Sequence, residues 1–388
     1  MHRQLTPQEF DQAVQFRRDL HAHPELRFAE FRTSKKIADE AEQSGLKVTR
    51  SVAGTGVIVE WDSQKPGPHI LLRADLDALP VPDLKSVEYQ SLNEGVMHAC
   101  GHDIHMTVVM TIAKLISKAP PEKGRISFLF QPAEEIPFGE GSGAQAILDS
   151  GHFDRLRPDV VLGLHCWPTL GAGTIGIDEK IAMAAKDAFS IQIFGQGAHA
   201  ATPELGIDSI LVASQIVSQL HQLISRQVNP SDSVALNVGT IHGGYSQSVL
   251  ANQVEITGTI RTINADTRAS LRLAVSRLAE GTAMSSGARV SLVWANEMPA
   301  VINDQMLVAL SKDVFERIVG SENVVEISDP PMTADDFALY AERVPGLYIK
   351  LGVGSNHPLH SSHFDADEES IRHGVEVLHE LILELLSR

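Results

Sequence analysis

Between Met97 and His105 the chain reads Met-His-Ala-Cys-Gly-His-Asp-Ile-His, a dense set of soft and borderline metal ligands around one glycine. Cys100 and His102 stand two apart. On a helix such residues point in different directions, but on an extended segment or turn both can reach one ion. The apolar run Met106–Ile116 reads as a buried helix, so the pair precedes a helix N-terminus, a position that lowers a thiol pKa. His98 and His105 read as ordinary core or surface histidines. A catalytic metal needs more donors than one such pair, and later segments offer them.

Those segments follow apolar runs. Arg125–Phe130 leads to Glu134 and Glu135. Asp159–Leu164 leads to His165, and Cys166 beside it reads as a small buried hydrophobe. His357, His360 and His363 crowd the loop Gly352–Phe364, where at least one is a plain loop histidine. Two adjacent carboxylates divide the labour: in a strand-like segment they face opposite ways, so one binds metal while the other approaches water. Asp75 orients a ligand histidine or caps a turn. Asp103 does the same or caps the following helix. His21 and His23, far from these clusters in sequence, read as structural.

The elements that must position these residues are legible in outline. His69–Leu72, Arg125–Phe130 and Asp159–Leu164 are continuous apolar runs alternating with helical segments, the pattern of strands buried on both faces. In such α/β sheets sites form at the carboxyl ends of strands, where the ionisable residues fall. Thr6-Pro7-Gln8-Glu9 opens a first helix with a cap box. From Ala188 the order changes to β-α-β-β-α-β, a ferredoxin-like split unit. The predicted organisation is an α/β catalytic domain with a mixed central sheet, built from residues 1–184 and 298–388. Residues 185–297 form an inserted ferredoxin-like lid and dimerisation domain. A helix is expected over Asp335–Glu342 and another over Glu368–Ser387.

Composition narrows the function. A net charge of −17 argues against nucleic acid and anionic membranes as partners. No run reaches the roughly 18 apolar residues of a membrane span, and the N-terminus reads as no secretory signal. Two cysteines in 388 residues make no disulfide framework, so a reduced, cytoplasmic protein is expected.

With these segments in hand, the chain resembles the M20 metallopeptidase family in its amidohydrolase branch, which holds aminoacylase, hippurate hydrolase and auxin-conjugate hydrolase types. The matching stretches are His21–Leu26, Arg73–Pro80, Met97–His105, Phe130–Glu135, Gly195–Pro203, Gly258–Arg261 and Leu359-His360, in the family's order. The resemblance implies that Cys100, His102, Glu135, His165 and His360 hold two divalent metal ions, Zn²⁺ first, with Mn²⁺ or Co²⁺ possible for this donor set. It implies that Glu134 is the general base and that His199 reaches across a homodimer to the other subunit's site as an oxyanion donor. Arg261 would help hold a substrate carboxylate. The implied reaction is hydrolysis of an N-acyl amino acid. A metallo-dipeptidase or carboxypeptidase would use the same machinery, but Arg73 stands where those branches carry a metal-binding histidine. Other departures are Ser248–Asn252, Asp335 where relatives usually have Glu, and Ser362-His363.

Overall fold

The computed structural model describes residues 3–388. In chain order the first elements are α1 (Pro7–Ala22), α2 (Phe31–Gln43), β1 (Lys47–Val52), β2 (Gly56–Asp62), β3 (His69–Asp75), α3 (His102–Lys118) and β4 (Arg125–Gln131). Next come α4 (Gly143–Asp149), α5 (His152–Leu156), β5 (Val160–Trp167), β6 (Ile175–Asp178) and β7 (Ile181–Met183). A second group is β8 (Ala185–Phe194), α6 (Ser209–Gln227), β9 (Val234–Gly243), β10 (Gln253–Thr262), α7 (Ala265–Ser285) and β11 (Arg289–Met298). The chain ends with β12 (Val301–Ile302), α8 (Gln305–Val319), β13 (Val324–Ile327), α9 (Ala338–Ala341), β14 (Gly346–Gly352) and α10 (Glu369–Ser387).

The main sheet runs β1-β2-β4-β3-β5-β14-β6-β13 and is mixed. Its centre decides where chemistry can occur. β3 is parallel to both β4 and β5, and β14 is parallel to β5. The carboxyl ends of four adjacent strands therefore lie along one edge. Helix α3 is the crossover from β3 to β4, so its N-terminus returns to that same edge. Every residue of β3 and β14 is buried, because helices cover both faces. Ile70 and Leu72 pack with α1, α2, α3 and α10, while Leu71 points to the opposite cluster with Ile147, Phe153 and Tyr340. That alternation is the period of two expected of a doubly covered strand.

The second sheet, β11-β8-β10-β9, is antiparallel throughout. With α6 and α7 on one face it has the ferredoxin-like strand order and forms a separate α+β domain. Phe189, Ile191 and Ile193 of β8 meet Val212, Ile216 and Leu220 of α6 and Val275 of α7 in its own core. Helix α6 begins at Ser209. Asp208 sets that start by accepting from the amides of Ile210 and Leu211. Thr6 and Glu9 form the expected reciprocal cap of α1.

One expected helix is mostly absent. Only Ala338–Ala341 of the Asp335–Glu342 segment is helical. Asp335 accepts from the Phe337 amide at 2.8 Å, a local side-chain bond that competes with helix. Among the described residues no helix is long and apolar enough to cross a membrane.

Candidate metal centre

Cys100, Gly101 and His102 turn sharply into α3. Gly101 has φ +84°, and a Cβ there would lie 2.6 Å from Cys166 Sγ. Only glycine supplies both the conformation and the space. The turn puts Cys100 Sγ 3.4 Å from His165 Nε2 and 3.3 Å from His360 Nε2. His360 Nε2 also lies 2.9 Å from Glu135 Oε1. Two donor groups result, Cys100–His102–His165 and Cys100–Glu135–His360. Cys100 belongs to both, which is the position of a bridging ligand. His102, Glu134 and Glu135 form a third, overlapping group.

Hydrogen bonds fix the histidine tautomers. His102 Nδ1 donates to the Asp77 carbonyl at 2.8 Å, and His165 Nδ1 donates to the Cys166 carbonyl at 2.9 Å. Each turns its Nε2 to the cluster, and His102 Nε2 is buried with no hydrogen-bond partner among the described residues, 3.6 Å from Asp75 Oδ2. A buried, aimed and unsatisfied donor atom is what a metal ligand looks like before its ion is added. A shared thiol with three imidazoles and one carboxylate, five donors in all, exceeds the needs of one catalytic zinc and suits two ions.

His105 differs in one decisive way. Its Nδ1 donates to Asp75 at 2.6 Å and its Nε2 accepts from the Cys166 amide at 2.9 Å. Both nitrogens are used, so it is a brace, as its sequence reading held. His21 and His23 also stay out of the cluster: His21 bonds Asp103 and Lys85, and His23 bonds the Asp19 carbonyl. Asp103 makes no cap bond to α3 and instead pairs with Arg17 at 2.7 Å. His357 and His363 lie against each other, ring centroids 5.4 Å apart, and neither lines the cavity.

Glu134 and Glu135 are not in a strand. They follow Ala133, whose φ is +50°, in an irregular segment held by Asp77. The two carboxylate oxygens of Asp77 accept from the amides of Glu134 and Glu135 at 3.0 and 2.9 Å. Asp77 therefore aims the acid pair, a role that no spacing in the sequence announces. Burial, then Asp335 and Glu135, push the Glu134 carboxyl well above its ordinary range. Glu135 goes the other way: burial would raise it, but His360 and then His102 hold it at about 2. At Cys100 burial opposes the lowering expected of a helix N-terminus. Burial, reinforced by Glu135, Glu134 and Asp75, pushes its thiol well above 9. That thiol ionises only with cations beside it.

A cavity of about 140 Å³ opens onto this cluster. Cys100, Glu134, Glu135, His165 and His360 line it, as does Arg261 of β10. His199 is exposed and is not part of the lining. Lys186 and Asp335, neither of which the sequence marked as a site residue, are part of it.

A mixed sheet with a metal-ligand cluster along its carboxyl edge, and a separate α+β domain beside it, defines a metal-dependent hydrolase. The model of peptidase family M20/M25/M40 matches residues 71–384, and the chain belongs to that family. It is 36% identical over 363 residues to an N-acetyl-L-cysteine deacetylase of Bacillus subtilis, covering 93% of this chain and 85% of that protein. It is 34% identical over 375 residues to an N-acetyldiaminopimelate deacetylase of Oceanobacillus iheyensis, covering 96% and 98%. Among solved structures it is similar to the Bacillus subtilis YXEP protein, a dinuclear metal-binding peptidase of the M20 family. The TM-score is 0.84 at 32% identity, covering 98% of this chain and 99% of that one.

Proposed function

We propose that this protein is an amidohydrolase that splits N-acyl-L-amino acids into a carboxylic acid and a free amino acid. One observation carries the reading: metal donors, a buried carboxyl of raised proton affinity and a cation for a substrate carboxylate line a single small cavity. Cys100, His102, Glu135, His165 and His360 would hold two divalent ions, Zn²⁺ with Mn²⁺ and Co²⁺ as alternatives. When bound, the ions supply Lewis acidity, polarising the amide carbonyl and lowering the pKa of water. Glu134 takes the proton from water and returns it to the leaving amine. The metal-loaded protein is expected to release free amine from N-acyl amino acids, to stop on dialysis against a chelator and to resume on addition of Zn²⁺ or Mn²⁺. Absence of amine release across acetyl, benzoyl, indoleacetyl and longer acyl groups sinks this reading.

Arg261 is given the substrate's α-carboxylate. It spends one N–H on the Met332 carbonyl at 2.8 Å and has no ion-pair partner among the described residues. Arg261→Ala is expected to raise KM for N-acyl amino acids at least tenfold, as loss of a charge-assisted fork does. An unchanged KM in steady-state amine release removes Arg261 from that role.

We also infer a domain division at 1–184 with 298–388 and 185–297, and a homodimer through the inserted part. Exposed Leu205, Ile210, Leu211, Tyr245 and Val249 on the second domain support the dimer; Val249 pairs directly with His199. His199 Nδ1 accepts from the Ala201 amide at 3.0 Å, which leaves Nε2–H as the donor an oxyanion needs. His199 would act in the site of the other copy. His199→Ala is expected to lose about 2.7–4 kcal/mol of transition-state binding. Mixing it with Glu134→Gln should restore activity, because a hybrid dimer then has one complete site. A mixture as inactive as its components argues against action in trans. Both cysteines are free thiols, which supports a cytoplasmic compartment.

A further inference from the structure

Lys186 and Arg261 are direct partners in the antiparallel pairing of β8 and β10. The helix-facing residues are odd-numbered on β8 (Phe189, Ile191, Ile193) and even-numbered on β10 (Val254, Ile256, Ile260). Lys186 and Arg261 therefore share the opposite face, and both line the metal-site cavity. Directly opposed side chains have Cβ atoms about 5 Å apart, and like charges there are destabilising. Burial and then Arg261 act against the charge on Lys186. Neither cation has an ion-pair partner among the described residues, and Lys186 has no hydrogen-bond partner there either. Glu134 and Glu135 attract Lys186 from across the cavity but do not pair with it, and Glu135 is already engaged by His360.

A substrate with one carboxylate satisfies Arg261 and leaves a second, partly desolvated cation unmatched. Unpaired charge in such a place is costly. The rest of the lining offers no other cation for a second carboxylate: Ile136, Trp167, Met183, Met298, Ala334 and Leu359 are apolar, Thr333 carries only a hydroxyl and Asp335 is itself an acid. Resting on the amidohydrolase reading above, we infer that Lys186 is a specificity-determining residue for a second substrate carboxylate. The preferred substrates are N-acyl amino acids carrying two carboxylates a few carbons apart. The second carboxylate comes either from an acidic amino-acid side chain, as in N-acetylglutamate or N-acetylaspartate, or from a dicarboxylic acyl group, as in an N-succinyl amino acid.

The test compares kcat/KM of the full-length, metal-loaded enzyme for N-acetylalanine, N-acetylglutamate, N-acetylaspartate and N-succinylalanine. Competitive inhibition by glutarate against butyrate reads the same subsite without turnover. At least one dicarboxylate is expected to exceed N-acetylalanine about tenfold or more, and glutarate to bind correspondingly tighter than butyrate, the scale of a partly buried charge pair. Which dicarboxylate wins identifies the source of the second carboxylate. Lys186→Met should cut the dicarboxylate-to-monocarboxylate ratio about tenfold or more. Lys186→Glu should shift preference toward N-acetyllysine. Equal turnover of all four substrates with equal inhibition by glutarate and butyrate overturns the inference, as does a Lys186→Met variant that slows every substrate alike. Failure to turn over any substrate is instead a failure of the amidohydrolase reading, and calorimetric titration of the metal-loaded enzyme with glutarate and with butyrate then decides the subsite.

Discussion

Glu134→Gln is expected to lower kcat by about 10²–10⁴, the range of a positioned general base, with metal content unchanged. The substitution keeps the shape and the hydrogen bond from the Glu134 amide to Asp77, since that bond uses the backbone. It removes the one carboxyl that the geometry keeps available. Glu135 is drawn to His360 and Cys100 and held ionised at about 2. Glu134 is buried beside Asp335, and burial makes it hold a proton more tightly than an ordinary glutamate. The neighbouring acids thus differ as a transient proton carrier and a permanent anion must. Metal analysis by mass spectrometry on the purified variant separates the outcomes. Loss of metal together with activity would make Glu134 a ligand. Retained activity would leave the reaction without a base at this position.

The same pair marks where sequence reading stops. The convergence of Cys100, His102, Glu135, His165 and His360 was legible because each follows a buried apolar strand or opens a buried helix. Parallel strands bring their carboxyl ends together whatever the loops do. The second domain was legible because its strands and helices follow the β-α-β-β-α-β order; the caps at Asp208 and Asn264 that set the starts of α6 and α7 were not. Asp77 was not, since its function depends on two backbone amides nearly sixty positions away in the chain. Lys186 was not, because a lysine early in a strand reads as a solvated edge until the cross-strand register places it opposite Arg261. Strand β1 carries charged and polar residues, Lys-Val-Thr-Arg-Ser-Val. Its identity comes from pairing with β2 at the sheet margin rather than from an apolar run. The Asp335–Glu342 helix failed for the opposite reason: its propensity is good, but Asp335 and Asp336 are committed to tertiary partners.

Those partners set the largest expected effect on stability, that of Arg73→Met. Arg73 is fully buried and reaches Asp75 at 2.8 Å, Asp335 at 3.2 Å and Asp336 at 2.8 Å. It also donates to Gln131 at 3.0 Å. A methionine fills similar space but leaves three carboxylates facing one another in the core. Removing one member of a buried ion network typically costs about 3–5 kcal/mol, because the remaining charge is uncompensated. Urea denaturation at pH 7 should show that loss as a lower midpoint at an unchanged slope. The pH dependence identifies the cause. Asp336 already sits at about 7, raised first by burial and then by Asp335, with Arg73 pulling it down. Without Arg73 the folded-state pKa rises further above the unfolded value near 3.9. Between those values the folded state binds more protons than the unfolded one, so stability falls as pH rises and recovers as pH drops. Because Asp336 is protonated in both folded proteins below about 7, the deficit of Arg73→Met should be largest above pH 8 and shrink as pH falls to about 6. A loss below about 1 kcal/mol, or one equal at pH 6 and pH 9, would mean that Arg73 is not what reconciles these carboxylates. The active-site edge, where Asp75 braces His105 and Asp335 borders Glu134, would then owe its geometry to packing alone.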